Sequence, residues 1–177
     1  VMNLGEIIPG TTTYQIFVNF SSPDDRLLAI SGNAGVSALR YSGAELVQNA
    51  PGFEHLDIQD RLFVGSQPGD SYVTIGGSFD TAFSPGFLDP EFPGASVIKG
   101  SFFEQLDNGG YFDFDPGTPE NGGSVLIAQF TIASGATATY EATVDHVLAG
   151  RSGVTSVAMG TVVIPAPGAM ALLGLAG

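Results

Sequence analysis

Two histidines, His55 and His146, stand in a chain of 177 residues with no cysteine, so few side chains titrate near neutrality. The lack of cysteine removes disulfides, thiolate nucleophiles and thiolate metal sites together. A nucleophilic relay would need one of these histidines beside a serine in a supporting motif. No Gly-x-Ser-x-Gly elbow, His-Glu-x-x-His helix or phosphate-cradling loop is present. His146 shares an alternating face with Tyr140, Ala142, Val144 and Leu148, the setting of a sheet histidine rather than an acid–base catalyst. His55, in Glu54-His55-Leu56-Asp57, reads as a solvated loop residue.

Carboxylates and aromatics supply the other candidates. Asp107, Asn108, Asp113 and Asp115 fall within nine residues around Asp107-Asn108-Gly109-Gly110. Hard oxygen ligands gathered at a turn suit calcium, although the EF-hand order and its closing Glu are missing. An acidic hairpin, with Asp and Asn serving turn geometry, accounts for the same residues. Glu104, Asp113 and Asp115 are the candidates for a paired-carboxylate glycan hydrolase, whose mechanism depends on a separation in space. Phe79, Phe83, Phe87 and Phe92 alternate with Pro85, Pro90 and Pro93. They make either an apolar cap over an open end of the core or a groove for apolar groups and sugar-ring faces.

Charge narrows the partners. The chain carries 5 Lys and Arg against 18 Asp and Glu, a formal net charge of -13. Phosphate backbones are repelled by such a surface, which excludes nucleic acid, and anionic lipid is disfavoured for the same reason. The length predicts a single domain with a real core. The opening Val1-Met2-Asn3, without a basic and apolar leader, is what a mature exported chain shows after its signal peptide is removed.

Elements of period two must position these residues. In residues 11–20, Tyr14, Ile16, Val18 and Phe20 face one way, with Thr13, Gln15 and Asn19 on the other. Residues 26–31 and 70–76 read as strands, and residues 125–132, 138–148 and 154–164 as the three best. A short strand is expected near Leu62-Phe63-Val64. Residues 36–41 and 44–48 predict a hairpin across Ser42-Gly43, and residues 100–106 and 111–114 another across residues 107–110. About ten strands, nearly all with one apolar and one polar face, predict an all-β, jelly-roll-like antiparallel β-sandwich. Its body spans residues 1–160, with an apolar tail over 161–177. No fixed-period repeat appears, which argues against a solenoid or propeller. The opening amphipathic strand and the run Val125-Leu126-Ile127-Ala128-Gln129-Phe130-Thr131-Ile132 resemble cohesin-like β-sandwiches at the level of fold.

The tail holds the most distinctive stretch. Pro165 and Pro167 remove two backbone donors and end a strand. An uncharged run follows that includes Met170, Leu172, Leu173 and Leu175, about half the ~20 residues of a membrane-spanning helix. Pro165-Ala166-Pro167-Gly168-Ala169-Met170-Ala171-Leu172-Leu173-Gly174-Leu175-Ala176-Gly177 resembles the start of a PEP-CTERM sorting tail. In that family a Pro-rich motif precedes an apolar helix and an Arg cluster, and marks exported proteins for an exosortase. Here Ala166 stands in place of the usual Glu, the apolar run is short, and no basic cluster follows. The resemblance implies export to the cell surface or beyond, with the tail membrane-associated before processing.

An apolar segment attached to a strand-rich body is what strand-exchange polymers use. The expectation is therefore a non-enzymatic, exported structural subunit of a filament, sheath or matrix. Copies of the chain would exchange a strand or the tail, and no cofactor is required apart from a possible calcium ion. The alternative is a surface module gripping extracellular polysaccharide through the phenylalanine loop, and the third reading is the glycan hydrolase.

Overall fold

The structure, a computed structural model, describes residues 1–32, 39–47, 57–58, 69–76, 81–83, 102–106, 110–113, 123–149 and 156–164. Every regular element among them is a strand, and the fold is all-β. In chain order the strands are β1 (Met2–Gly5), β2 (Thr11–Asn19), β3 (Arg26–Ser31), β4 (Leu39–Gly43), β5 (Asp57–Ile58) and β6 (Tyr72–Val73). They continue as β7 (Thr81–Phe83), β8 (Phe102–Leu106), β9 (Gly110–Asp113), β10 (Ser124–Ala133), β11 (Ala138–Val147) and β12 (Ser156–Ile164). The alternation in residues 11–20, 26–31, 125–132, 138–148 and 154–164 thus becomes strand, as expected. The strand expected at residues 62–64 lies outside the described residues.

Two sheets form. The first runs β1-β2-β10-β6-β5 and is antiparallel except for the two-residue β5, which lies parallel to β6. The second runs β7-β9-β3-β11-β4-β8, with β12 also on β11, and every pairing in it is antiparallel. Its arrangement follows from the register. β12 pairs with β11 from Ala138 to His146, while β4 takes positions 138–141 and β3 positions 143–147. Both β3 and β4 must then lie on the edge of β11 away from β12, end to end and pointing the same way. β9 pairs with β3 and β8 with β4, so β8 and β9 also run in one direction.

This geometry corrects the hairpin expected across residues 107–110. Gly and Asn serve an interruption as readily as a tight turn, and the apolar partners decide between them. Leu106 stands opposite Leu39 and Tyr111 opposite Ile30, so the two segments extend separate strands instead of pairing with each other. The hairpin across Ser42-Gly43 is corrected as well. After β4 the chain leaves its sheet: the amide of Ala44 donates to Thr137 O at 3.0 Å, and that of Val47 to Thr131 O at 2.8 Å. It crosses beside residues 134–137, which carry the chain from β10 in the first sheet to β11 in the second.

The two crossings touch at Gly43. Its φ is +119°, and a Cβ there would sit 2.6 Å from Thr137 O and 2.8 Å from the Cα of Ala138. Gly43→Ala therefore suffers both a strained backbone and a backbone clash, and is expected to lose about 1–3 kcal/mol. Urea denaturation checks this, and an unchanged midpoint would contradict the close approach of the two crossings.

One apolar core takes side chains from both sheets. Phe130 of β10 meets Tyr41 of β4 at 5.1 Å and Tyr140 of β11 at 5.3 Å, both edge to face. Phenols in a core need partners. The Tyr111 hydroxyl donates to Ile127 O at 2.8 Å and lies 2.8 Å from the Tyr140 hydroxyl. Tyr111 has one phenolic proton, committed to the carbonyl, so Tyr140 donates to Tyr111.

The first sheet departs from the expected one-sided pattern. Thr13, Ser71, Thr74 and Thr131 are fully buried, and Gln129 and Asp70 nearly so. Thr13 and Gln15, placed by alternation on a polar face, therefore belong to a face that is largely covered.

Candidate functional site

The covered polar face is built by β2, β6 and β10. Register sets Thr13 opposite Thr131, Gln15 opposite Gln129 and Gln129 opposite Tyr72. The two threonine hydroxyls lie 2.8 Å apart, and the Gln15 Nε2 donates to Gln129 Oε1 at 3.1 Å. The Tyr72 hydroxyl donates to the same oxygen at 3.4 Å, while Gln129 Nε2 donates to Asp70 O at 2.9 Å. The backbone N–H of Thr131 donates to Ser71 Oγ at 3.0 Å. Burial raises the Tyr72 phenol above its ordinary value, with the Asp70 charge adding to this and the Gln15 hydrogen bond opposing it. Thr74 Oγ1 is the one buried side-chain polar atom among the described residues left without a partner. Amides and hydroxyls that satisfy one another hold strands in register; they do not make a nucleophile and its base.

Other predicted positions fall as follows. His146 is half-buried on β11, its ring 5.7 Å from that of Phe20 and its Nδ1 3.3 Å from Val144 O, the placement of a sheet histidine. Phe83 ends β7 opposite Tyr111, and Phe79, Phe87 and Phe92 lie outside the described residues. Asp113 closes β9 opposite Thr81, and Glu104 lies within β8. Asp107, Asn108 and Asp115, needed for the calcium set, lie outside the described residues, as do His55, Pro165, Pro167, Met170, Leu172, Leu173 and Leu175. No group of three or more potential metal-ligating side chains occurs among the described residues.

The remaining candidate is a strand edge, and two edges invite comparison. β1 borders the first sheet with four residues, and its register with β2 shifts between Asn3 and Gly5. Asn3 Oδ1 accepts the Gly5 amide at 2.7 Å, and Glu6 follows directly. A short, bulged edge whose backbone donor is taken locally is blunted against foreign strands. β12 has none of these devices. Its nine residues, Ser156-Val157-Ala158-Met159-Gly160-Thr161-Val162-Val163-Ile164, hold no charge and no proline, and pair with β11 without a register shift. Among the described residues no strand pairs with its outer edge.

Sequence places β12 correctly but not its exposure. Ile164 is fully buried and Val162 packs on the core, so residues 161–164 belong to the sheet. Val163, one position from each, is 64% exposed, and Ala158, Gly160 and Thr161 are also exposed. The signal available in the sequence was a long strand lacking the lysine, proline or bulge that usually guards an edge.

Comparison with known proteins adds no relative: no family model, curated protein or solved structure matches the chain.

Proposed function

We propose that this chain is a non-enzymatic, exported structural protein, a subunit of an extracellular filament, sheath or matrix built from copies of itself. Its two sheets are taken to pack face to face as a β-sandwich, a reading supported by the shared core and by the Phe130 contacts that join them. The observation that carries the proposal is the long, uncharged and unguarded β12 at the border of the second sheet. The likeness of residues 165–177 to a PEP-CTERM tail supports export. The buried polar face is engaged in hydrogen bonds between neighbouring strands, which suits a scaffold more than a reaction centre.

Light scattering after size-exclusion chromatography, with electron microscopy of the same material, tests this directly. Concentration-dependent assemblies of the full chain are expected. A monomer at every accessible concentration overturns the proposal.

A further inference from the structure

We propose that β12 is the strand by which two copies recognise each other, the β12 of one copy adding antiparallel to the β12 of the next. The inference rests on the reading that copies associate, and it names the surface and the symmetry. Antiparallel self-pairing relates the two strands by a two-fold axis, so one surface serves both partners and closes a pair. Growth into a filament, sheath or matrix takes a second contact between pairs. It joins the second sheets of two molecules through main-chain hydrogen bonds, the mode by which an open sheet edge takes up an added strand.

Charge selects a second copy as the occupant. A molecule of net charge -13 meets its twin most easily where carboxylates are absent or already engaged. β12 contributes none, and the nearby carboxylates of β11 are held from the side opposite to it. Glu141, opposite Thr161, is 3.4 Å from Arg40 of β4. Asp145, opposite Val157, accepts the Ser31 hydroxyl of β3 at 2.6 Å. The edge strand β1 is short, bulged and followed by Glu6, and β5, β7 and β8, which also border their sheets, have only two, three and five residues.

Substitution and cross-linking of the full chain test the proposal. Val163→Lys and Thr161→Lys put charge on exposed positions, and each is expected to weaken self-association by about tenfold or more in Kd while leaving the thermal melt unchanged. The natural chain has no cysteine, so single cysteines report on register without interference. A Cβ at Gly160 meets nothing within 4 Å, which makes Gly160→Cys sterically free. Among Gly160→Cys, Thr161→Cys and Val163→Cys, disulfide-linked dimers should form most readily at the position nearest the two-fold axis and fall away from it. Asn3→Cys on β1 should stay unlinked.

Undiminished association of both lysine variants, or linking at Asn3 and not on β12, overturns the β12 pairing and leaves self-assembly standing. A β12 cysteine that neither links nor reacts with a soluble thiol reagent is covered by its own chain, which also overturns the pairing. A natural chain that remains monomeric overturns the pairing and the wider reading together.

Discussion

Phe130→Ala is expected to remove about 3–5 kcal/mol of stability, a large part of what a domain of this size possesses. Phe130 is fully buried and meets aromatic rings from two strands of the opposite sheet, Tyr41 and Tyr140. Truncation loses the transfer energy of the ring and leaves a cavity between the sheets. Neither tyrosine can collapse freely into it: Tyr41 donates to Ala44 O, and Tyr140 is tied to Tyr111. Phe130→Leu retains most of the volume and should cost less, losing mainly the edge-to-face contacts. Equilibrium unfolding in urea measures both changes. A loss near 1 kcal/mol for Phe130→Ala would mean that the two sheets do not meet at this ring.

Alkali should unfold the protein steeply from about pH 10, the ordinary tyrosine value. Burial drives the Tyr111 phenol well above that value, and the neighbouring Tyr140 charge raises it further. Burial likewise raises Tyr140, against a smaller opposing effect of its bond with Tyr111. Tyr41 is raised by burial alone. A raised value means that the folded chain keeps a proton the unfolded chain has released. Stability from these groups is therefore fully present below pH 10 and falls as pH rises towards the folded-state values. The slope is about 1.4 kcal/mol per pH unit for each such tyrosine. Tyr111→Phe removes its hydrogen bonds to Tyr140 and to Ile127 O, which still accepts the Thr74 amide, at a cost of about 1 kcal/mol, and also flattens the alkaline slope by one tyrosine. Urea midpoints measured across this pH range read both effects. An unchanged slope in Tyr111→Phe would show that this phenol ionises freely in the folded state.

Strand existence was legible wherever apolar and polar residues alternate over many positions. Residues 26–31 were bounded correctly, and the long strands ending at Ala133, Val147 and Ile164 came within about two residues of their observed limits. Pairing was less legible. Asp107-Asn108-Gly109-Gly110 has the chemistry of a hairpin turn, yet β8 and β9 extend separate rows because their apolar partners lie on β4 and β3. Such a choice depends on residues more than sixty positions away, beyond any local pattern. The same limit applies to Thr13 and Gln15. Alternation gives them a face, and only the folded chain reveals that Thr131 and Gln129 stand across from them. The calcium, phenylalanine and sorting-tail positions fall largely outside the described residues, so they rest on sequence alone.

The pairing of β2 with β10 also fixes when the first sheet can come into being. The hydroxyls of Thr13 and Thr131 meet across 118 residues of sequence. In a polypeptide synthesised from its amino end, Tyr14 and Ile16 have only the four-residue β1 beside them in their own sheet until most of the chain has emerged. Closing so long a loop slows folding and prolongs the interval in which sticky segments are open to other molecules. A long interval before the first sheet closes is thus written into the topology, and the export proposed above would make use of it.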